Sequence, residues 1–251
     1  PNALVGLGKG SKFEPNQRAT TTELFEGLHS NSQNAWPSLE FDIGGINRIM
    51  SRVFPAGFYY KTFIFPRFAW KHVFEPFIRK AAGLSAAPTE KDSDKYEYFY
   101  AHVDVLIIGG GTSGLAAALE VGRSGAKVLV LEQKNTWGGR APVDGVFIDN
   151  QISEEWIDDA ITELQSMPNV TLKNRTMGAG VYDHGWATGY ESITDHMPGK
   201  KGPRQRLWRI RAKRILTTTG AIERPLSFAG NDLPGVMLAG RVRDYLVDFG
   251  T

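Results

Sequence analysis

Two textures of hydrophobic and polar positions divide this chain. From Val103 onward the apolar residues follow the periods of strands and helices. Val103, Val105, Leu106, Ile107 and Ile108 form a short run suited to a buried parallel strand. Leu115, Ala118, Leu119 and Gly122 then recur at helical spacing, and AKVLVLE at 126–132 predicts a second strand ending on an acid. Trp156, Ile157, Ala160, Ile161 and Leu164 give a buried face to a further helix. Ser153 is placed to cap it, with Glu154 and Glu155 in the first turn where the helix dipole favours acids. NVTLKN is the next strand. GAGVYDH, WATGYESI and RLWRIRAKR alternate like three antiparallel strands. RILTTTGAIERP, at 214–225, opens with a strand that enters Thr219 and Gly220.

The first hundred residues are less regular. In TTTELFEGL, Thr20 and Glu23 fit a capping box, and Leu24, Phe25 and Leu28 would form the apolar face of a helix. Residues 53–83 are crowded with aromatics (Phe58, Tyr59, Tyr60, Phe63, Phe65, Phe68, Trp70, Phe74 and Phe77) and broken by Pro55, Pro66 and Pro76. Lysines and arginines spaced through them are wrong for a bilayer. An arm packed on its own domain and a contact surface for another domain or subunit both fit. The polar stretch 84–100 reads as a linker. The expected fold class is α/β. A Rossmann-like domain of the two-dinucleotide-binding type, a parallel sheet with an antiparallel three-stranded meander, spans 101–251. An irregular, aromatic-rich N-terminal arm and linker occupy 1–100.

Composition narrows the chemistry. The 251 residues contain no cysteine, which excludes disulfides, Cys-ligated zinc or iron–sulfur sites and a Cys-x-x-Cys redox pair within this sequence. The net charge of +2 gives no global field for nucleic acid or an anionic membrane. No uncharged apolar run reaches the roughly eighteen residues of a membrane span, and no signal-peptide pattern is present. The expectation is a cytoplasmic protein with neither a nucleic-acid nor a membrane partner. Because the chain opens on Pro1 and stops at Thr251, it reads as an excerpt of a longer protein. The basic run from Lys200 to Arg214 alternates with Leu207, Trp208, Ile210 and Ala212, as a solvated sheet face would. The five histidines show no metal-ligand spacing, and Asp183 with His184 beside Gly185 reads as a turn.

The strongest chemical signal lies between the first strand and helix. Gly109, Gly111 and Gly114 stand at the spacing of the dinucleotide fingerprint, with Gly110, Thr112 and Ser113 between them. The first glycine permits the tight turn, the second lets the backbone approach a pyrophosphate, and the third lets helix and strand pack closely. Glu132, followed by Gln133, would accept hydrogen bonds from the adenosine ribose and repel a 2′-phosphate, favouring NAD or FAD over NADP. The GGR element at 138–140 resembles the continuation found in two-dinucleotide-binding flavoproteins, which implies Gly139 and Arg140 near the ribose and pyrophosphate, unless Arg140 is only a solvated loop charge. Thr219 and Gly220 resemble the Ala-Thr-Gly element that closes such domains against the cofactor, with Thr218 adding a branched side chain where Ala is usual in them. No acid, base, nucleophile or metal site is recognisable, so no catalytic residue is assigned.

Blocks on both sides of the fingerprint carry a resemblance. PNALVGLG, PNQRATTTELFEGL, PAGFYYKTFIFPRFAWKHVFEPFIRKAAGLSAAPTE, DVLIIGGGTSGLAAAL and RLWRIRAKRILTTTGAIERPLSFAGNDLPGVMLAGRVRDYL are together similar to the alpha subunits of heterotetrameric sarcosine oxidases. The resemblance implies a longer alpha subunit, with beta, gamma and delta subunits as partners. It implies NAD in this chain's site, FAD and FMN elsewhere in the complex, and tetrahydrofolate bound by a region beyond this segment. The implied reaction is oxidative demethylation of sarcosine to glycine, with tetrahydrofolate or water accepting the one-carbon unit. Two alternatives stay open: an FAD-dependent subunit of a proline, hydroxyproline or opine dehydrogenase, and a structural subunit in which the nucleotide is a folding ligand.

Overall fold

The computed structural model describes residues 4–33, 35–46, 63, 65–197, 199–231, 233 and 235–250. These fall into two compact units, one within 1–94 plus 196–200 and one within 95–195 plus 201–251.

The first unit holds a small antiparallel sheet of β1 (Leu4–Leu7), β2 (Glu14–Arg18) and β3 (Ser30–Ser32), with β1 in the middle. The capping-box helix does not form. Ala19–Thr21 makes one 3-10 turn, and the residues after it are irregular as far as β3. Leu24 is exposed, and Gly27 sits at φ 80°, a left-handed conformation outside the helical region. Of the aromatic stretch, Phe58, Tyr59 and Tyr60 lie outside the described residues. The Phe63 and Phe74 rings pack at a tilt of 47°, with centroids 5.2 Å apart. A π-type turn, Trp70–Phe74, runs into α1 (Glu75–Ala81).

The second unit is the predicted α/β domain. Its strands are β4 (Tyr96–Ile108), β5 (Val128–Leu131), the short hairpin β6 (Phe147–Ile148) and β7 (Gln151–Ile152), then β8 (Val170–Lys173), β9 (Thr176–Tyr182), β10 (Trp186–Ser192) and β11 (Gln205–Thr217). Its helices are α2 (Thr112–Arg123), α3 (Ala141–Asp144), α4 (Ser153–Ser166) and α5 (Ala239–Val247). The main sheet runs β8-β5-β4-β11-β10-β9, parallel from β8 to β11 and antiparallel through β10 and β9. This is the mixed sheet of a Rossmann-like domain with a meander.

Alternation along the central strands builds two cores. Ile107, Val128 and Val130 face Leu115, Ala118 and Leu119 of α2 and Ile157, Ala160 and Leu164 of α4. Leu106, Ile108, Leu129 and Leu131 face the other way, with Ala187 of β10 and Ile210 and Ala212 of β11. Burying each such Leu, Ile or Val contributes about 1.5–3 kcal/mol. β9 at the end of the sheet comes very near the Ile108 side chain of β4: a Cβ on Gly178 would lie 2.5 Å from it.

The sequence predicts a linker as far as residue 100, but β4 begins at Tyr96 and pairs in parallel with β11 from its first residue. The third meander strand and the strand leading to Thr219 are one continuous strand, β11. Ser153 is not the cap of α4. Extended Ile152 occupies that position, and buried Ser153 turns its hydroxyl to the Glu154 carboxylate at 2.7 Å, which lowers the Glu154 pKa.

Candidate dinucleotide site

The chain turns from β4 into α2 across Gly109, Gly110 and Gly111. Three of the four glycines here are required by the protein's own packing. Gly109 sits at φ 112°, and a Cβ there would lie 2.3 Å from the Thr218 carbonyl oxygen. A Cβ on Gly114 would fall 2.0 Å from the Gly109 carbonyl oxygen, and one on Gly110 would fall 2.4 Å from the Trp137 ring. Gly111 is different. Its φ of −71° suits any residue, and among the described residues its Cβ would meet only the Gly139 Cα, at 3.9 Å. Nothing in the packing asks for glycine there.

Gly111 is also the N-cap of α2, and it offers no side chain to the helix's first amides. Thr112 and the exposed Ser113 open the helix. The N–H groups of a first turn lack intrahelical partners and carry the positive end of the dipole. A bare backbone beside those donors fits a pyrophosphate.

Glu132 directly follows β5 and is only 7% exposed. One carboxylate oxygen accepts the Gly110 N–H at 2.7 Å and the other accepts the Lys134 N–H at 2.8 Å. Its backbone is fixed as well: its N–H donates to the Lys173 carbonyl at 2.8 Å and its carbonyl accepts the Thr176 N–H at 2.7 Å. Each carboxylate oxygen retains acceptor capacity for a hydroxyl. Gln133, beside it, points into solvent-exposed space.

The segment after Trp137 lies on the glycine turn. Gly138 donates its N–H to the Gly110 carbonyl at 2.8 Å and bridges Gly111 in parallel. A Cβ on Gly139 would come 3.2 Å from the Gly111 Cα. Arg140 is engaged by protein carboxylates: its Nε and Nη2 bond Asp144 at 3.3 and 2.9 Å, and its Nη1 bonds Asp244 of α5. Those partners, Asp144 first, raise the guanidinium pKa further. Arg140 is thus a linker between α3 and α5 in this structure, rather than a free loop charge.

Thr218 has a structural task. Its hydroxyl donates to the Gly109 carbonyl at 2.8 Å and its N–H to the Ile108 carbonyl at 2.8 Å, so its branch closes the turn. Thr219 and Gly220 come next, exposed, and no hydrogen bond ties them to the turn among the described residues. Gly109 to Gly114, Glu132, Gly139 and the Arg140 backbone are therefore brought together, while Gln133, Thr219 and Gly220 are not. Trp137 was missed from the sequence, although a large aromatic directly before Gly138 and Gly139 was the available signal. Asp244 left no such signal.

Among the described residues, no group of three or more His, Cys, Asp and Glu could hold a metal ion, and no helix is long and apolar enough to cross a membrane.

Comparison with known proteins places this geometry. Residues 104–188 match the family described as FAD dependent oxidoreductase. Sarcosine oxidase subunit alpha from Rhizobium meliloti (strain 1021) is 49% identical over 252 residues, which is all of this chain and 26% of that protein. Sarcosine oxidase subunit alpha from Corynebacterium sp. (strain P-1) is 41% identical over 172 residues, 67% of this chain and 18% of the relative. Among solved structures, L-proline dehydrogenase from P. horikoshii is 28% identical with a TM-score of 0.47, over 63% of this chain and 30% of its own. The chain spans about a quarter of the length of the first of these relatives. Over its whole length the chain is similar to one segment of a sarcosine oxidase alpha subunit, and its nucleotide domain is of the FAD-dependent oxidoreductase type.

Proposed function

We propose that this chain is the dinucleotide-binding part of a sarcosine oxidase-like alpha subunit and holds an adenine dinucleotide with an unphosphorylated ribose. The observation that carries the proposal is Gly111, a glycine that no neighbour requires, at the open first turn of α2. The backbone amides of that turn would bind the pyrophosphate, with Thr112 and Ser113 at its entrance. Glu132, fixed by Gly110 and Lys134, would orient the adenosine ribose through its remaining acceptor positions. Trp137 and Gly139 keep the turn in shape from the other side. When bound, a nicotinamide or flavin nucleotide supplies hydride-transfer chemistry.

NAD is the occupant that the family resemblance favours. A second reading, FAD in this same site, is supported by the FAD dependent oxidoreductase match over 104–188. On the first reading, sarcosine oxidation belongs to the assembled complex. FAD and FMN then sit outside this site, with beta, gamma and delta subunits as partners and tetrahydrofolate or water as one-carbon acceptor in the cytoplasm.

Titration of the nucleotide-free chain with NAD, FAD, NADP and ADP tests the proposal. NADP should bind at least about tenfold more weakly than NAD, because a 2′-phosphate would face the Glu132 carboxylate at close range. Equal affinity for NAD and NADP would overturn the assignment of Glu132 to the ribose.

A further inference from the structure

Asp244 on α5 and Asp248 at its C-cap stand one turn apart, and both reach the loop that walls the glycine turn. Asp244 is 7% exposed. One of its oxygens accepts from Arg140, and the other lies 3.0 Å from Arg241 on its own helix. Asp248, one turn on and thus on the same helix face, lies 3.3 Å from the Lys134 ammonium. Lys134 and Arg140 are the two ends of a seven-residue loop. Between them, Trp137 packs on Gly110, Gly138 bonds the Gly110 carbonyl, and Gly139 lies against Gly111. A second connection runs through α3, where Arg140 bonds Asp144 and the Arg243 guanidinium bonds the Asp144 carbonyl.

These contacts give α5 a part in the site although it touches none of the fingerprint glycines. The Arg140 guanidinium is engaged by Asp144, Asp244 and the Gly240 carbonyl. What Arg140 transmits is position: pulled by Asp244, it holds Gly138 and Gly139 down on Gly110 and Gly111. The two pairs should differ in weight. The Asp244 side chain is only 10% exposed and Asp248 is 35% exposed, so the Lys134–Asp248 pair is the more strongly screened by solvent and salt.

We propose that Asp244, seconded by Asp248, is a positioning residue of the dinucleotide site. It keeps the 134–140 loop closed on the phosphate turn and so slows release of the bound nucleotide. The proposal rests on the dinucleotide reading above.

The test uses the full chain with NAD and FAD as probes, reading association rate, dissociation rate and thermal midpoint for each variant. Asp244→Asn should speed dissociation about tenfold, the effect of losing one hydrogen bond to a charged group, with association little changed. Asp244→Glu should restore slow release, a rescue that loss of bulk stability alone would not give. Asp248→Asn should speed release about twofold at low salt and have no effect at high salt, in keeping with an exposed pair. If Asp244→Asn does not fold, the salt-dependent effect of Asp248→Asn decides the matter. Unchanged release in whichever folded variant is read, with a wild type that binds its nucleotide, would overturn the positioning role. A wild type that binds neither probe would instead overturn the site itself, and this proposal with it.

Discussion

Gly111 and Gly114 are identical in the sequence and opposite in the structure. A methyl on Gly114 would fall 2.0 Å from a backbone oxygen and 2.8 Å from the Thr218 hydroxyl, and neither can retreat without opening the turn. Gly114→Ala should therefore destabilise the domain by more than about 2 kcal/mol, read as a lower urea midpoint. Gly111→Ala meets only the Gly139 Cα at 3.9 Å, so its urea midpoint should stay near that of the wild type while dinucleotide affinity falls. A large loss of stability in Gly111→Ala would show that packing, not a ligand, explains that glycine. Thr218→Ala should cost about 1 kcal/mol, the net worth of one hydrogen bond, at the oxygen of Gly109. The glycine spacing was legible because only spacing is needed to name the fingerprint. The duty of Thr218 was not, since it depends on a strand more than a hundred residues away returning beside β4.

Helices and strands with a buried face were readable wherever a period of 2 or 3.6 had a core to meet. Helices α2 and α4 followed from Leu115, Ala118, Leu119, Ile157, Ala160 and Leu164, all of which the structure buries. The helix expected from Thr20 and Glu23, with Leu24, Phe25 and Leu28 as its face, met no core, and Leu24 is exposed. The start of β4 was hidden because Tyr96, Glu97, Tyr98, Phe99 and Tyr100 do not alternate in polarity, and their partners lie on β11. That pairing also changes the meaning of the basic run. Arg206 lies 4.1 Å from the Phe99 ring centroid and is paired with Glu97 at 2.9 Å and Glu191 at 3.1 Å, and Lys213 is paired with Asp104 at 2.6 Å. Much of what reads as a solvated cationic face is therefore charge-matched.

Helices α2 and α4 are also joined by Arg123 and Glu163, at 2.7 Å. Arg123 lowers the Glu163 pKa below the ordinary carboxylate value. A carboxyl whose pKa is lowered by folding stabilises the fold above its unfolded pKa, and that contribution disappears as pH falls through the folded value. Arg123→Gln should therefore lower the urea midpoint at pH 7 and change it little well below pH 4, because Glu163 is then protonated in both proteins. An equal effect at both pH values would remove the ion pair as the cause.

At the scale of the whole molecule, the family resemblance and the nucleotide domain were legible, while the chemistry of the complete enzyme was not. The glycine turn, β5 with its terminal acid and the meander all lie within one unit of this chain. The sarcosine oxidase alpha subunits extend well beyond the length of this chain. On the proposed function, this segment would bind and orient a nucleotide, and substrate oxidation would belong to a larger assembly. If so, variants of the glycine turn should deplete bound nucleotide in step with activity of that complex.

The most direct measurement is to purify the protein carrying this chain, release bound nucleotide with acid, and identify it by mass and absorbance. An adenine dinucleotide without a 2′-phosphate is expected, NAD on the first reading, and it should be lost from Gly111→Ala. FAD released from this site would move the assignment to the second reading. Recovery of NADP, or of no dinucleotide from a folded protein, would contradict the central claim.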